Sequence, residues 1–351
     1  MKIEKQTGDK HKSLFLYIII KGDIMDKYNI RSDLLIEAIK MDSKGIVSDI
    51  KTKNNLTITK VEVIDEEIIK KKKGKYITIE FKDIEKDKKD LKEEFSNSLK
   101  YLMNVNDIKK EDKLLVIGLG NSKSTADSLG PLVIDNIIVT RHLEELGLNN
   151  SRIVSAIKPG VTGETGIETK DIIKGIIDII KPNFLIVVDS LASSTIGRIN
   201  KTIQMTDTGI HPGSGVGNKR EELNELTIGI PVIAIGIPTV CDAVTIVNDT
   251  IEEIHKHFAI TTKNINNPLF KMTPLTDIKS KNEKLNKKEI ETLSGILGSL
   301  NETDRKNLIY EVLAKTEYNL MVTPKEIDFI IDKLSDLISI GINEVIHDFN
   351  L

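Results

Sequence analysis

Two aspartates stand where an α/β protein keeps its chemistry. Asp189 directly follows the apolar run Phe184-Leu185-Ile186-Val187-Val188, and Asp127 lies shortly beyond Leu114-Leu115-Val116-Ile117-Gly118-Leu119-Gly120. A carboxyl at the mouth of a buried strand meets backbone N–H groups and a low dielectric, and both change its hold on a proton. Two such carboxyls facing one pocket cannot both ionise cheaply, so they share a proton. One can then take a proton from water while the other polarises a carbonyl. That chemistry is amide hydrolysis without a metal or a nucleophilic side chain. Asp is also a favoured helix N-cap, and the residue pattern alone leaves capping and catalysis open.

Other polar residues gather near the same positions. Gly236-Ile237-Pro238-Thr239-Val240-Cys241-Asp242 closes a third apolar run, which makes Asp242 a possible supporting residue. The stretch from Asp207 to Arg220 is rich in glycine. Its Gly213 and Gly215 permit close backbone approach to a peptide or anion, and His211 could join such a site. The plainer readings are an ordered surface loop and a hydrogen-bonded loop histidine. Cys241, the only cysteine, sits in an apolar run and reads as a small buried hydrophobe. Ser190, Ser193 and Ser194 lack a His–Asp pattern, and Gly213-Ser214-Gly215 is too short for a nucleophile elbow. Gly118-Leu119-Gly120 lacks the third glycine of a dinucleotide fingerprint, with Lys123 in its place.

The elements that must position these residues follow from periodicity. Continuous apolar runs at 114–120, 184–188 and 230–237 read as strands buried on both faces. Helical patterns at about 129–146, 169–180 and 242–258 lie between or after them. The expected class is therefore α/β, a mostly parallel twisted sheet with helices on both faces. In such sheets ligands bind beyond the carboxyl ends of the strands, the positions of Asp127 and Asp189. Leu56–Ile64 and Tyr76–Phe81 alternate with period two and read as an added hairpin, with the basic run Lys70–Lys75 as its solvated tip. An amphipathic helix is expected at 86–104, and further helices at about 288–299, 303–315 and 325–346. Thr323-Pro324 reads as the N-cap and first position of the last one.

Of 351 residues, 50 are Lys or Arg and 53 Asp or Glu, a net charge of −3 that gives no bias toward nucleic acid or anionic membrane. The single cysteine rules out an internal disulfide and suits a reducing compartment. Leu14–Ile20 falls short of the ~20 apolar residues that span a bilayer, so no membrane role is expected. Met25 offers a second possible start.

At these residues the sequence resembles the germination protease family of spore-forming bacteria. The likeness runs through Tyr28–Leu34, Gly118–Asn121, Asp127–Pro131, Ser155–Val161 and Thr165–Thr169. It is most specific in Gly209–Arg220, and it extends to Asn319–Glu326. The resemblance implies an atypical aspartic endopeptidase with Asp127 and Asp189 as its catalytic pair and no cofactor or metal. It implies small acid-soluble spore proteins as substrate, a cytoplasmic setting in forespore and spore core, and no direct nucleic-acid partner. It further implies a homotetrameric zymogen that cleaves itself between Asp33 and Leu34. On that reading residues 1–33 are an N-terminal extension and prosegment. Residues 34–351 are then one peptidase domain, with its core at about 111–260 and C-terminal helices at about 288–346. The implied fold is shared with hydrogenase-maturation peptidases, which makes a metal-dependent maturation peptidase the nearest alternative. A non-catalytic anion- or nucleotide-binding protein is the alternative from another class.

Overall fold

Among the described residues, nine strands form one mixed sheet in the order β1-β2-β3-β7-β8-β6-β4-β5, with β9 paired to β8. They are β1 (Ile46–Lys53), β2 (Leu56–Val63), β3 (Gly74–Glu80), β4 (Leu114–Gly118), β5 (Val154–Ile157), β6 (Phe184–Ser193), β7 (Thr202–Thr206), β8 (Val232–Asp242) and β9 (Met321–Val322). The computed structural model describes residues 32–39, 43–147, 152–211, 213, 221–264, 285–314 and 320–347. The readings of Leu14–Ile20, Met25 and Gly215 lie outside them.

The α/β class holds, and the sheet is parallel only at β5, β4, β6 and β8. The rest is antiparallel. The expected hairpin of β2 and β3 is present, but β3 also pairs with β7, which pairs with β8. The N-terminal strands therefore continue the central sheet. The link between β2 and β3 holds a short helix, Glu66–Ile69, capped by Asp65, and is not a simple lysine turn.

Burial on both faces explains the continuous apolar runs. Leu114, Val116, Ile186, Val188, Ile233 and Ile235 enter one core, while Leu115, Ile117, Leu185, Val187 and Val232 enter another. Successive strand residues point to opposite faces, so neither face can be polar. The first core is completed by helix Ile84–Val105, whose Leu91, Phe95, Leu99 and Leu102 are fully buried, and by helix Ile327–His347. Asp83 caps the former by accepting from Glu85 and Lys86 N–H groups. Helix Thr169–Ile180 contributes Ile173, Ile176 and Ile177 to the second core.

Chain contacts divide between Asp242 and Ala243 and again between Leu320 and Met321. The sheet and its covering helices make one unit. Within the other, helix Ala243–Asn264 meets helix Glu302–Ala314, where Arg305 donates to Asn248 (2.8 Å) and Glu252 (2.7 Å). No described helix is long and apolar enough to cross a membrane.

Candidate active site

β4 is the switch point of the parallel strands. The chain leaves it for β5 on one side and returns through helix Thr169–Ile180 to β6 on the other. Asp127 belongs to the loop after β4, and Asp189 lies on neighbouring β6. Both line one cavity of about 350 Å³, together with Asp33, Ser190, Gly213 and Thr239. That volume is at the lower end for ligand sites and suits a few residues of a peptide.

The loop after β4 is built by close backbone approach. Leu119 N–H donates to Val188 O (2.8 Å), extending β4 onto β6. Gly120 has φ +113°, and a Cβ there would lie 2.0 Å from Asp127 O. A Cβ on Gly130 would lie 2.2 Å from Leu119 O and 2.6 Å from Val188 O. Only glycine lets the loop fold back this tightly. Asn121 N–H then donates to both the backbone oxygen (2.9 Å) and Oδ2 (3.0 Å) of Asp127. Thr239 Oγ1 donates to Ala126 O (2.6 Å), and Thr323 Oγ1 donates to Thr239 O (2.8 Å). Thr323 thus braces the loop and does not cap the last helix, which begins at Ile327.

The capping alternative does not describe either aspartate. Asp189 is followed by strand, because β6 runs on to Ser193 against β8; it is buried, and its Oδ1 accepts from Ser190 N–H (2.9 Å). Asp127 ends a 3₁₀ turn, and Ser128 holds the N-cap position of the next helix, Leu129–Asp135.

Asp33 comes to this cavity from the far end of the sequence. Its N–H donates to Ala192 O (3.0 Å), and its Oδ2 accepts from Ala192 N–H (2.8 Å). Leu34 and Leu35 are buried behind it. Gln204 brackets the backbone here: Oε1 accepts from Leu35 N–H (2.7 Å), and Nε2 donates to Asp33 O (3.3 Å).

Glu37 anchors the end of the segment. Its carboxylate accepts from Ser32 Oγ (2.5 Å), Ser193 Oγ (2.7 Å), Ser194 N–H (2.6 Å), Ser194 Oγ (2.8 Å) and Arg198 Nη1 (3.3 Å). Burial pushes this carboxyl's pKa up, but the hydrogen bonds from Ser32, Ser194 and Ser193 outweigh it and hold it below the usual glutamate range. Lys71 lies within electrostatic reach of both acids. Burial lowers its pKa, and the charges of Asp33 and Glu37 partly oppose that. Lys71 therefore departs from the solvated-tip reading of its lysine run.

The remaining sequence candidates divide. Gly213 lines the cavity. His211 does not; it is exposed, with Nδ1 3.7 Å from Glu222 Oε1. Asp242 is buried at the end of β8, paired with Met321, and is not a lining residue. Cys241 is buried, as its apolar run predicts. Among the described residues, no group of three or more His, Cys, Asp or Glu converges on a possible metal position. Gln204, Arg198, Ser193 and Ser194 carry no sequence signal, because their role depends on a segment docked across the sheet.

The sequence is similar to known proteins over most of its length. Residues 26–350 match the family model described as germination protease. The germination protease of Bacillus mycoides (strain KBAB4) is 43% identical over 348 residues, covering 92% of this chain and 95% of that protein. That of Geobacillus sp. (strain WCH70) is 42% identical over 354 residues, with the same coverage. The chain is thus of the peptide-hydrolase class. It belongs to the germination protease family.

Proposed function

We propose that the chain is an aspartic endopeptidase that degrades small acid-soluble spore proteins at germination, with Asp127 and Asp189 activating water. The observation that carries the reading is that these two carboxyls and Asp33 line one cavity. The pair holds one proton between them. The ionised carboxyl takes a proton from water as its oxygen attacks the peptide carbonyl carbon, and the protonated one donates to the carbonyl oxygen. Collapse of the tetrahedral intermediate breaks the C–N bond as the leaving nitrogen takes the proton that the first carboxyl drew from water, and the second carboxyl recovers its proton from the carbonyl oxygen it had protonated. No cofactor enters these steps.

In the same reading the chain is a self-processing zymogen cut between Asp33 and Leu34, and it works as a homotetramer in the forespore and spore core. Support for the cleavage point is the placement of Asp33 at the cavity with its carbonyl held by Gln204. While joined to the chain, the prosegment through Asp33 competes with added substrate for the cavity.

The test incubates purified full-length chain with a small acid-soluble spore protein, with and without a chelator. Cleavage that resists the chelator supports the aspartate pair. Chelator-sensitive cleavage would favour the metal-dependent maturation peptidase, and no cleavage by a processed form would favour a binding protein. Sedimentation of the same sample reads the tetramer.

A further inference from the structure

Gln204 lies in a row that crosses the active strands. Its register partner on β8 is Gly236, and the register partner of Gly236 on β6 is Asp189. Residues paired in register share a face of the sheet, so Gln204 and Asp189 face the same side, two strand spacings or about 10 Å apart. The space over Gly236 is taken by Leu191, since a Cβ on Gly236 would lie 2.5 Å from that side chain. A peptide crossing this row therefore lies over Leu191, with a carboxyl on one flank and a carboxamide on the other.

The docked segment is held at Ala192 of β6 and at Gln204 of β7. Leu35 N–H is a donor and Asp33 C=O an acceptor, so each fixes one end of the Gln204 amide: oxygen toward Leu35 (2.7 Å), nitrogen toward Asp33 (3.3 Å). Gln204 is buried, so neither bond is diluted by bulk water. We infer that Gln204 is a catalytic residue that donates its Nε2–H to the scissile carbonyl oxygen while its Oε1 sets the peptide's register. This rests on the reading that the Asp33–Leu34 bond is the one cleaved. The ground-state bond is long, and it shortens as the carbonyl oxygen gains charge in the tetrahedral intermediate, which is where a preorganised donor contributes most.

Full-length Gln204→Ala and Gln204→Glu chains test the assignment, with wild-type circular dichroism required of each. Intact mass follows the single-turnover appearance of a product beginning at Leu34, and a peptide of residues 28–41 supplied in trans reports kcat and KM. Gln204→Ala should lower kcat about 100-fold, with a much smaller change in KM. Gln204→Glu should be as slow near pH 7, where a carboxylate faces the carbonyl. Its rate relative to wild type should rise as the pH falls and the carboxyl regains a proton to donate. Loss confined to KM, or equal losses in both variants at every pH, would overturn the role. So would a product beginning at Leu34 that forms at the wild-type rate in both variants, and the cleavage-site reading would then survive. A wild-type product beginning at another residue would instead sink the cleavage-site reading and this inference with it.

Discussion

Asp33 and Ala192 exchange two hydrogen bonds: the Asp33 N–H donates to Ala192 O (3.0 Å), and Asp33 Oδ2 accepts from Ala192 N–H (2.8 Å). Ala192 lies three positions beyond Asp189 on β6, so this pair fixes where the N-terminal segment meets the carboxyl pair. Backbone pairing of an incoming segment with a strand is a general way to present a peptide to a site.

Replacement of either Asp127 or Asp189 by Asn keeps the size of the side chain and removes its acid–base function. Each variant should lose about 10³-fold or more in cleavage rate, with an unchanged circular-dichroism spectrum. Normal self-processing by both purified variants would contradict the aspartate pair.

Removal of residues 1–33 should raise activity on an added small acid-soluble spore protein. If the segment occupies the cavity in nine molecules of ten, the gain is about tenfold. Initial rates of the truncated and full-length chains check this, and equal rates would deny the prosegment a controlling role.

Glu37 ties the segment down through five donors, so Glu37→Ala should cost about 2–4 kcal/mol. The wild-type contribution is pH-dependent. The folded pKa is lowered, so the contribution is fully present above the ordinary glutamate value of about 4.3 and is lost as pH falls through the depressed folded value. The protection of the Leu34 and Leu35 amides, taken relative to their intrinsic exchange rates at each pH, should therefore fall on acidification from about pH 5 downward, ahead of that of the β6 amides. Exchange at these two amides that stays in step with β6 would rule out a separate role for Glu37.

Gly130→Ala places a methyl group 2.2 Å from Leu119 O and 2.6 Å from Leu119 N. Relief requires the β4 loop to move off the helix that follows it. The expected loss is about 3 kcal/mol or more, measured as a shift in the urea midpoint.

The three buried strands and both aspartates were legible because a continuous apolar run has few physical solutions: covered on both faces, it must end where polar chemistry begins. β1 and β7 were not legible. β1 is largely exposed, and β7 is the buried but polar-rich Thr-Ile-Gln-Met-Thr, a strand by virtue of its partners β3 and β8. The helix expected over 129–146 is broken into Leu129–Asp135 and Arg141–Glu145. The cause is remote: Asn343 accepts from Ile138 N–H (3.0 Å) and donates to Asn136 O (2.9 Å), taking backbone groups a continuous helix would use.

From the sequence alone came the α/β class, the buried strands and the two carboxyls beyond them, since these depend on local composition and period. Only the tertiary structure decided that Asp33 joins Asp127 and Asp189, that Gln204 faces the same side as Asp189, and that His211 and Asp242 do not line the cavity. Those relations depend on sheet order and register. The contact between Asp33 and Ala192 spans 159 positions of sequence, and no local pattern encodes so long a reach.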